Sequence, residues 1–156
     1  MRIASILENQ QIEKRISITP EIAKKYIALG LEVILSENYG VHLGIKDEYF
    51  TNLGVKILKD ENEVINNADI IVQLGLMSDQ KISIIKNNQT LIGVFNPYNN
   101  KSKIDELKRK NINIFSLELL PRITRAQSMD ILSSQANLAG DKAVIESLAS
   151  FDNAIP

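Results

Sequence analysis

Cysteine is absent from this 156-residue chain, and histidine occurs once. No disulfide framework, thiolate metal site or histidine-rich metal centre can therefore be built from it. The seven glycines are dispersed, with no GxGxxG and no GxxxxGK motif, so the chain by itself offers no recognisable phosphate loop. Charge of one sign is not in excess either. Eighteen basic and 19 acidic residues leave a net charge of -1 and a pI near 5.9, which argues against nucleic acid as a partner. Residues Met1 to Glu13 meet charge at Arg2, Glu8 and Glu13 before any long apolar run develops. They resemble neither a signal peptide nor a membrane span, and a cytoplasmic setting is expected.

What is present is a rhythm. The length suits about one domain that buries roughly two thirds of its unfolded surface. Short apolar runs at Ile3 to Leu7, Glu32 to Ser36, Val55 to Leu58, Asp69 to Leu74, Thr90 to Phe95 and Ile112 to Leu117 read as strands. Amphipathic stretches at Asp47 to Leu53, Glu61 to Asn67, Asp79 to Lys86 and Ser102 to Lys110 read as helices between them. An earlier helix starts at Thr19-Pro20-Glu21 and stops at Gly30, with Ile22, Tyr26 and Leu29 as its expected core face. Runs such as Ile70-Ile71-Val72 and Leu91-Ile92-Gly93-Val94-Phe95 are apolar at consecutive positions, as strands covered on both faces require. The expected fold class is α/β, a three-layer parallel sheet with helices on both faces; an antiparallel sheet with one wet face would alternate more strictly. A last helix is expected over Ser133 to Phe151, with Leu138, Ala139, Ala143, Val144, Leu148 and Ala149 on related faces and Gly140 marking a close helix contact.

The segment Leu119 to Ala139 is the richest in bonding groups. It follows the last apolar strand, so its polar residues are expected beyond the carboxyl end of a parallel strand, where open sheets place ligands. Arg122 and Arg125 can donate to a carboxylate or phosphate, Gln127 can donate and accept, and ionised Asp130 only accepts. Together these suit a ligand with an amide: Gln127 and Asp130 could read a carboxamide while an arginine balances charge. The competing reading is that Asp130 and Ser133 only cap the following helix. Arg15 could point into the same edge or lie on the surface, and His42 reads as an ordinary loop histidine.

Pro121-Arg122-Ile123-Thr124-Arg125-Ala126-Gln127-Ser128-Met129-Asp130, continuing through Leu132-Ser133-Ser134-Gln135-Ala136-Asn137-Leu138-Ala139-Gly140, resembles the signature of the alpha subunit of proton-translocating NAD(P) transhydrogenase. Met1-Arg2-Ile3, Arg15-Ile16-Ser17-Ile18-Thr19-Pro20, and Glu37, Gly40 and Asp47 resemble the opening shared by that subunit and alanine dehydrogenase. The resemblance covers essentially residues 1–156 and implies the first, flavodoxin-like/Rossmann-like lobe of an NAD(H)-binding component. It further implies that Arg122, Ile123, Thr124, Arg125, Gln127, Asp130 and Ser133 lie at the cofactor, as a loop over the nicotinamide. NADP(H) would sit on a partner component, with no acid-base catalyst and no metal in this chain. Implied partners are the glycine-rich Rossmann lobe that this chain lacks, a membrane component and the NADP-binding component, in a dimeric assembly on the cytoplasmic face of the membrane. The family pattern continues past Pro156, so the chain is expected to be either one product of a split gene or a truncated remnant. Asp141 departs from the pattern, standing where a non-acidic residue is expected. Alanine dehydrogenase itself is disfavoured, because Gly75 and Asn96 stand where that relative has a lysine and a catalytic histidine. The alternatives are a non-catalytic interaction module and an alanine dehydrogenase fragment.

Overall fold

The computed structural model describes residues 1–121 and 123–151. They form two compact units, one over residues 1–116 and one beginning at residue 117, of which the first holds the sheet. Its strands are β1 (Arg2–Ser5), β2 (Glu32–Ser36), β3 (Lys56–Leu58), β4 (Ile70–Gln73), β5 (Thr90–Gly93) and β6 (Asn113–Ser116), with α1 (Pro20–Ala28), α2 (Asp47–Thr51), α3 (Glu61–Asn67), α4 (Asp79–Ile84) and α5 (Lys101–Arg109) between them. Every strand pairing is parallel and the order is β3-β2-β1-β4-β5-β6. The expected α/β sheet is therefore present, in the six-strand order of a dinucleotide-binding sheet.

Consecutive apolar residues serve opposite faces. Leu91, Ile71, Ala4 and Ile34 stand in register across four strands and pack under Val64, Ile82 and Leu107 of α3, α4 and α5. Their neighbours Ile3, Val33 and Leu35 face the other way, against Ala23 of α1 and Phe50 of α2. Each fully buried aliphatic side chain contributes about 1.5–3 kcal/mol. That two-sided burial explains why these strands do not alternate with polar residues.

The helix starts are chemically defined. Thr19 caps α1 by accepting the Ile22 N–H, with Pro20 at the first helical position, and Asp60 caps α3 by accepting the Asn62 N–H at 2.8 Å. Gly30, at φ +79°, ends α1 in the left-handed conformation. Leu29 departs from expectation: it is the residue that closes α1 and is 76% exposed, while Ala23 takes the buried place beside Ile22, Tyr26 and Ile27.

Strand ends also differ from the apolar runs, and for one reason. β1 stops at Ser5 because the Ile6 N–H donates to the Gln73 side chain and the Leu7 N–H to Ser36 Oγ; β4 stops at Gln73 because the Leu74 N–H donates to Glu8. Side chains replace the ladder where the carboxyl ends separate. Gly93 closes β5 in a place with no room, since a Cβ there would lie 2.0 Å from the Gln73 carbonyl oxygen and 2.6 Å from the Phe95 ring.

The second unit contains a 3-10 segment over Thr124–Met129 and a 19-residue helix, α6 (Ile131–Ala149). Gly140 makes no close contact among the described residues, for nothing lies within 4 Å of a Cβ placed there. The close helix approach expected from it is not found. Leu138, Val144, Ile145 and Leu148 are exposed, and none of the α6 residues is buried. Among the described residues no helix is long and apolar enough to cross a membrane.

Two alanine substitutions should move stability in opposite directions. Gly93→Ala is expected to lower the melting temperature by a destabilisation of about 1–3 kcal/mol or more from overpacking, whereas Gly140→Ala should raise α6 stability by about 0.5–1 kcal/mol. Thermal melts followed by circular dichroism measure both.

Candidate functional site

In the second unit the end of the 3-10 segment meets the start of α6, and a cavity of about 250 Å³ forms there. Ile123, Thr124, Gln127, Asp130 and Ser133 line it, which brings together five of the seven residues singled out from the sequence. Arg125 is exposed in the same 3-10 segment but is not among the lining residues. Arg122 lies outside the described residues.

Asp130 is the organising group. One carboxylate oxygen accepts the Leu132 and Ser133 N–H groups at 3.0 and 3.2 Å, and the other accepts the Ser133 hydroxyl at 2.6 Å. This is a helix N-cap, so the capping reading of Asp130 holds. The cap and the cavity are not alternatives, because the same carboxylate borders the opening. Gln127 contributes both an N–H donor and a carbonyl acceptor. Donors and acceptors of the kind a carboxamide pairs with are therefore present at one opening.

A second constellation occupies the first unit, where β1 and β4 lie side by side and the strand order reverses direction. The Tyr39 hydroxyl is 2.8 and 2.9 Å from the Ser5 and Ser17 hydroxyls and accepts the Ser17 and Ile18 N–H groups at 3.1 Å. Burial pushes the Tyr39 phenol up, against the opposing effect of these bonds, so it stays neutral. Buried Gln73 accepts from Ser5 and the Ile6 N–H, and its Nε2 donates to Glu8. Burial also pushes the Glu8 carboxyl above its ordinary value, more strongly than the Leu74 and Gly75 N–H groups lower it. A cavity of about 450 Å³ opens beside it, lined by residues of the loops after β1 and β4 together with Glu61 and Lys81.

Glu8, Gln73 and Tyr39 were not among the residues picked out from the sequence. The signal available was their place at or just after the ends of strands, but only the strand order shows that β1 and β4 are neighbours. Arg15 is largely exposed, and its guanidinium is held by the Glu13 carboxylate at 2.6–2.8 Å, which lowers the Glu13 pKa. His42 sits in a short 3-10 turn with Nε2 2.7 Å from the Lys14 carbonyl oxygen, in keeping with a loop histidine. Gly75 borders the larger cavity and Asn96 follows β5 at φ +45°, so neither place carries a basic side chain.

Residues 6–139 match the family model for the alanine dehydrogenase/PNT N-terminal domain. The chain belongs to that family. It is 37% identical over 161 residues to the first part of NAD(P) transhydrogenase subunit alpha from Rhodospirillum rubrum, and 38% identical over 160 residues to the protein of the same description from Rickettsia prowazekii. In both cases all of this chain aligns, yet it spans only 42% of the relative. The crystal structure of transhydrogenase from Sinorhizobium meliloti superposes with a TM-score of 0.89 at 35% identity, covering 99% of this chain and 46% of that one.

Two substitutions separate the groups of this site. Asp130→Asn should keep the helix start, since asparagine caps as well as aspartate, whereas Asp130→Ala should cost about 0.5–2 kcal/mol; urea melts measure the difference. Glu8→Gln should reveal a pH dependence of definite sign. As pH falls from neutral, the folded chain protonates Glu8 before the unfolded chain does, so the wild-type chain gains stability from this group until the ordinary value of 4.5 is passed. The variant lacks that gain, and Glu13, whose lowered pKa acts in the opposite sense, is common to both proteins. Urea midpoints compared across that range should show wild type gaining on Glu8→Gln as the solution is acidified.

Proposed function

We propose that this chain is the nicotinamide-facing part of the NAD(H)-binding component of a proton-translocating transhydrogenase. The observation that carries the proposal is the shared cavity of Gln127, Asp130 and Ser133 at the start of α6. In this reading Gln127 donates to and accepts from the nicotinamide carboxamide, and Asp130 and Ser133 fix that end of the loop. Ile123 and Thr124 form the remaining wall, and Arg122 and Arg125 balance charge. NADH bound here would supply the hydride, and oxidised NADP on a partner component would accept it. The residues of this chain contribute orientation and exclusion of water, not proton transfer.

The remainder of the alpha subunit, with its glycine-rich lobe, would anchor most of the dinucleotide. Membrane and NADP-binding components would complete a dimeric assembly on the cytoplasmic face of the membrane. The similarity over the whole chain to relatives described as the first part of a subunit alpha supports such a division of labour. A second reading, a non-catalytic interaction module, draws support from the exposed apolar residues of α6. An alanine dehydrogenase fragment is less favoured, because Gly75 and Asn96 offer no general acid or base.

Mixing the chain with the remaining transhydrogenase components and following hydride transfer from NADH to an NADP analogue tests the proposal. Transfer should appear only when this chain is present, and Gln127→Ala should reduce its rate about ten-fold or more at unchanged melting temperature, the loss of a bidentate contact made in the reacting complex. An assembled but inactive mixture, alongside an active intact enzyme, would favour the interaction module.

A further inference from the structure

The larger cavity, about 450 Å³, has the size of a small-molecule site and lies between the carboxyl ends of β1 and β4. Those strands adjoin where the order of the sheet reverses, the crevice at which open α/β sheets take ligands.

The charges around it can be accounted for one by one. Lys81 is paired with Glu61 and Arg15 with Glu13, so both cations already hold a carboxylate. Glu8 has no such partner: among the described residues no lysine, arginine or histidine nitrogen lies within ion-pair distance of it. Its Oε1 accepts the neutral donors of Leu74 and Gln73, while burial and the nearby Glu13 charge disfavour its charge and Arg15 offsets this only weakly. Beside it the wall is apolar, with Ile6 and Met77 buried and Leu76 and Ile12 completing the lining. An anion would meet Glu8 with no available cation, and a neutral molecule would leave the carboxylate uncompensated. A cation bearing N–H donors supplies both the charge and the hydrogen bonds.

We propose that this cavity is a binding site for a small amphipathic amine, its ammonium group held by the Glu8 carboxylate and its hydrocarbon body lying against Ile6, Leu76 and Met77. Gln73 is the positioning residue: its amide joins β1 to Glu8 and so sets the distance between charge and apolar wall. The proposal stands or falls without the nicotinamide reading above.

Three six-carbon probes that differ only in their heads provide the test: n-hexylamine, n-hexanoate and 1-hexanol, titrated into the full chain at about pH 8, where the amine is protonated. Calorimetry gives affinity, and the amide resonances of Leu74 and Gly75 report the place. Hexylamine should bind and shift both resonances, at least about ten-fold more tightly than hexanoate or hexanol, and Glu8→Gln should remove that preference. Should Glu8→Gln fail to fold, Ile12→Lys decides, because Ile12 is 84% exposed and a cation there competes for Glu8; it should weaken hexylamine about ten-fold. Equal binding of the three probes, no binding of hexylamine, or affinity unchanged in a folded variant would overturn the proposal.

Discussion

The Gln73 side-chain amide, buried at the end of β4, is the interaction on which the first unit depends. Its oxygen accepts the Ser5 hydroxyl and the Ile6 N–H, and its nitrogen donates to Glu8. A buried amide left unpaired costs about 1–3 kcal/mol, so these bonds tie the end of β4 to β1 and to the chain that leaves β1. The Ser5 and Ser17 hydroxyls carry the connection to Tyr39 beyond β2. This web thereby determines where β1 and β4 stop and how the carboxyl edge is shaped.

The start of α6 follows a different economy. Its carboxylate, Asp130, satisfies two backbone donors of the helix and the Ser133 hydroxyl, and it also borders a cavity with Gln127. A group that structure already requires is held in one orientation before any ligand arrives. Preorganisation of that kind favours positioning over proton transfer, because ordering the group costs nothing further on binding. Family membership and the similarity to transhydrogenase subunits stand on the whole chain and not on this one group.

Much of this was legible in advance. The consecutive apolar positions of β4 and β5 announced a sheet covered twice, and Thr19-Pro20 announced the start of α1. Gln127, Asp130 and Ser133 were recognisable because their spacing is local, within seven residues of one another. Glu8 was not recognisable, since its partners Gln73 and Leu74 lie 65 and 66 residues away and nothing local marks them. Leu29 misled because helical periodicity assigns it a face, whereas as the closing residue of α1 it lies outside the regular helix and is exposed. Gly140 misled because a glycine in a helix permits a close neighbour but does not supply one.

Residue order alone determined the element types, the two-sided burial of the strands and the cap at Asp130, because each follows from contacts or hydrogen bonds a few residues apart. Only tertiary structure decided that β4 pairs with β1, that Glu8 is half-buried without an ion-pair partner among the described residues, and that a cavity opens beside it. Those features depend on closing loops of more than sixty residues. Packing across both faces of the sheet, not local preference, selects among the ways of closing them.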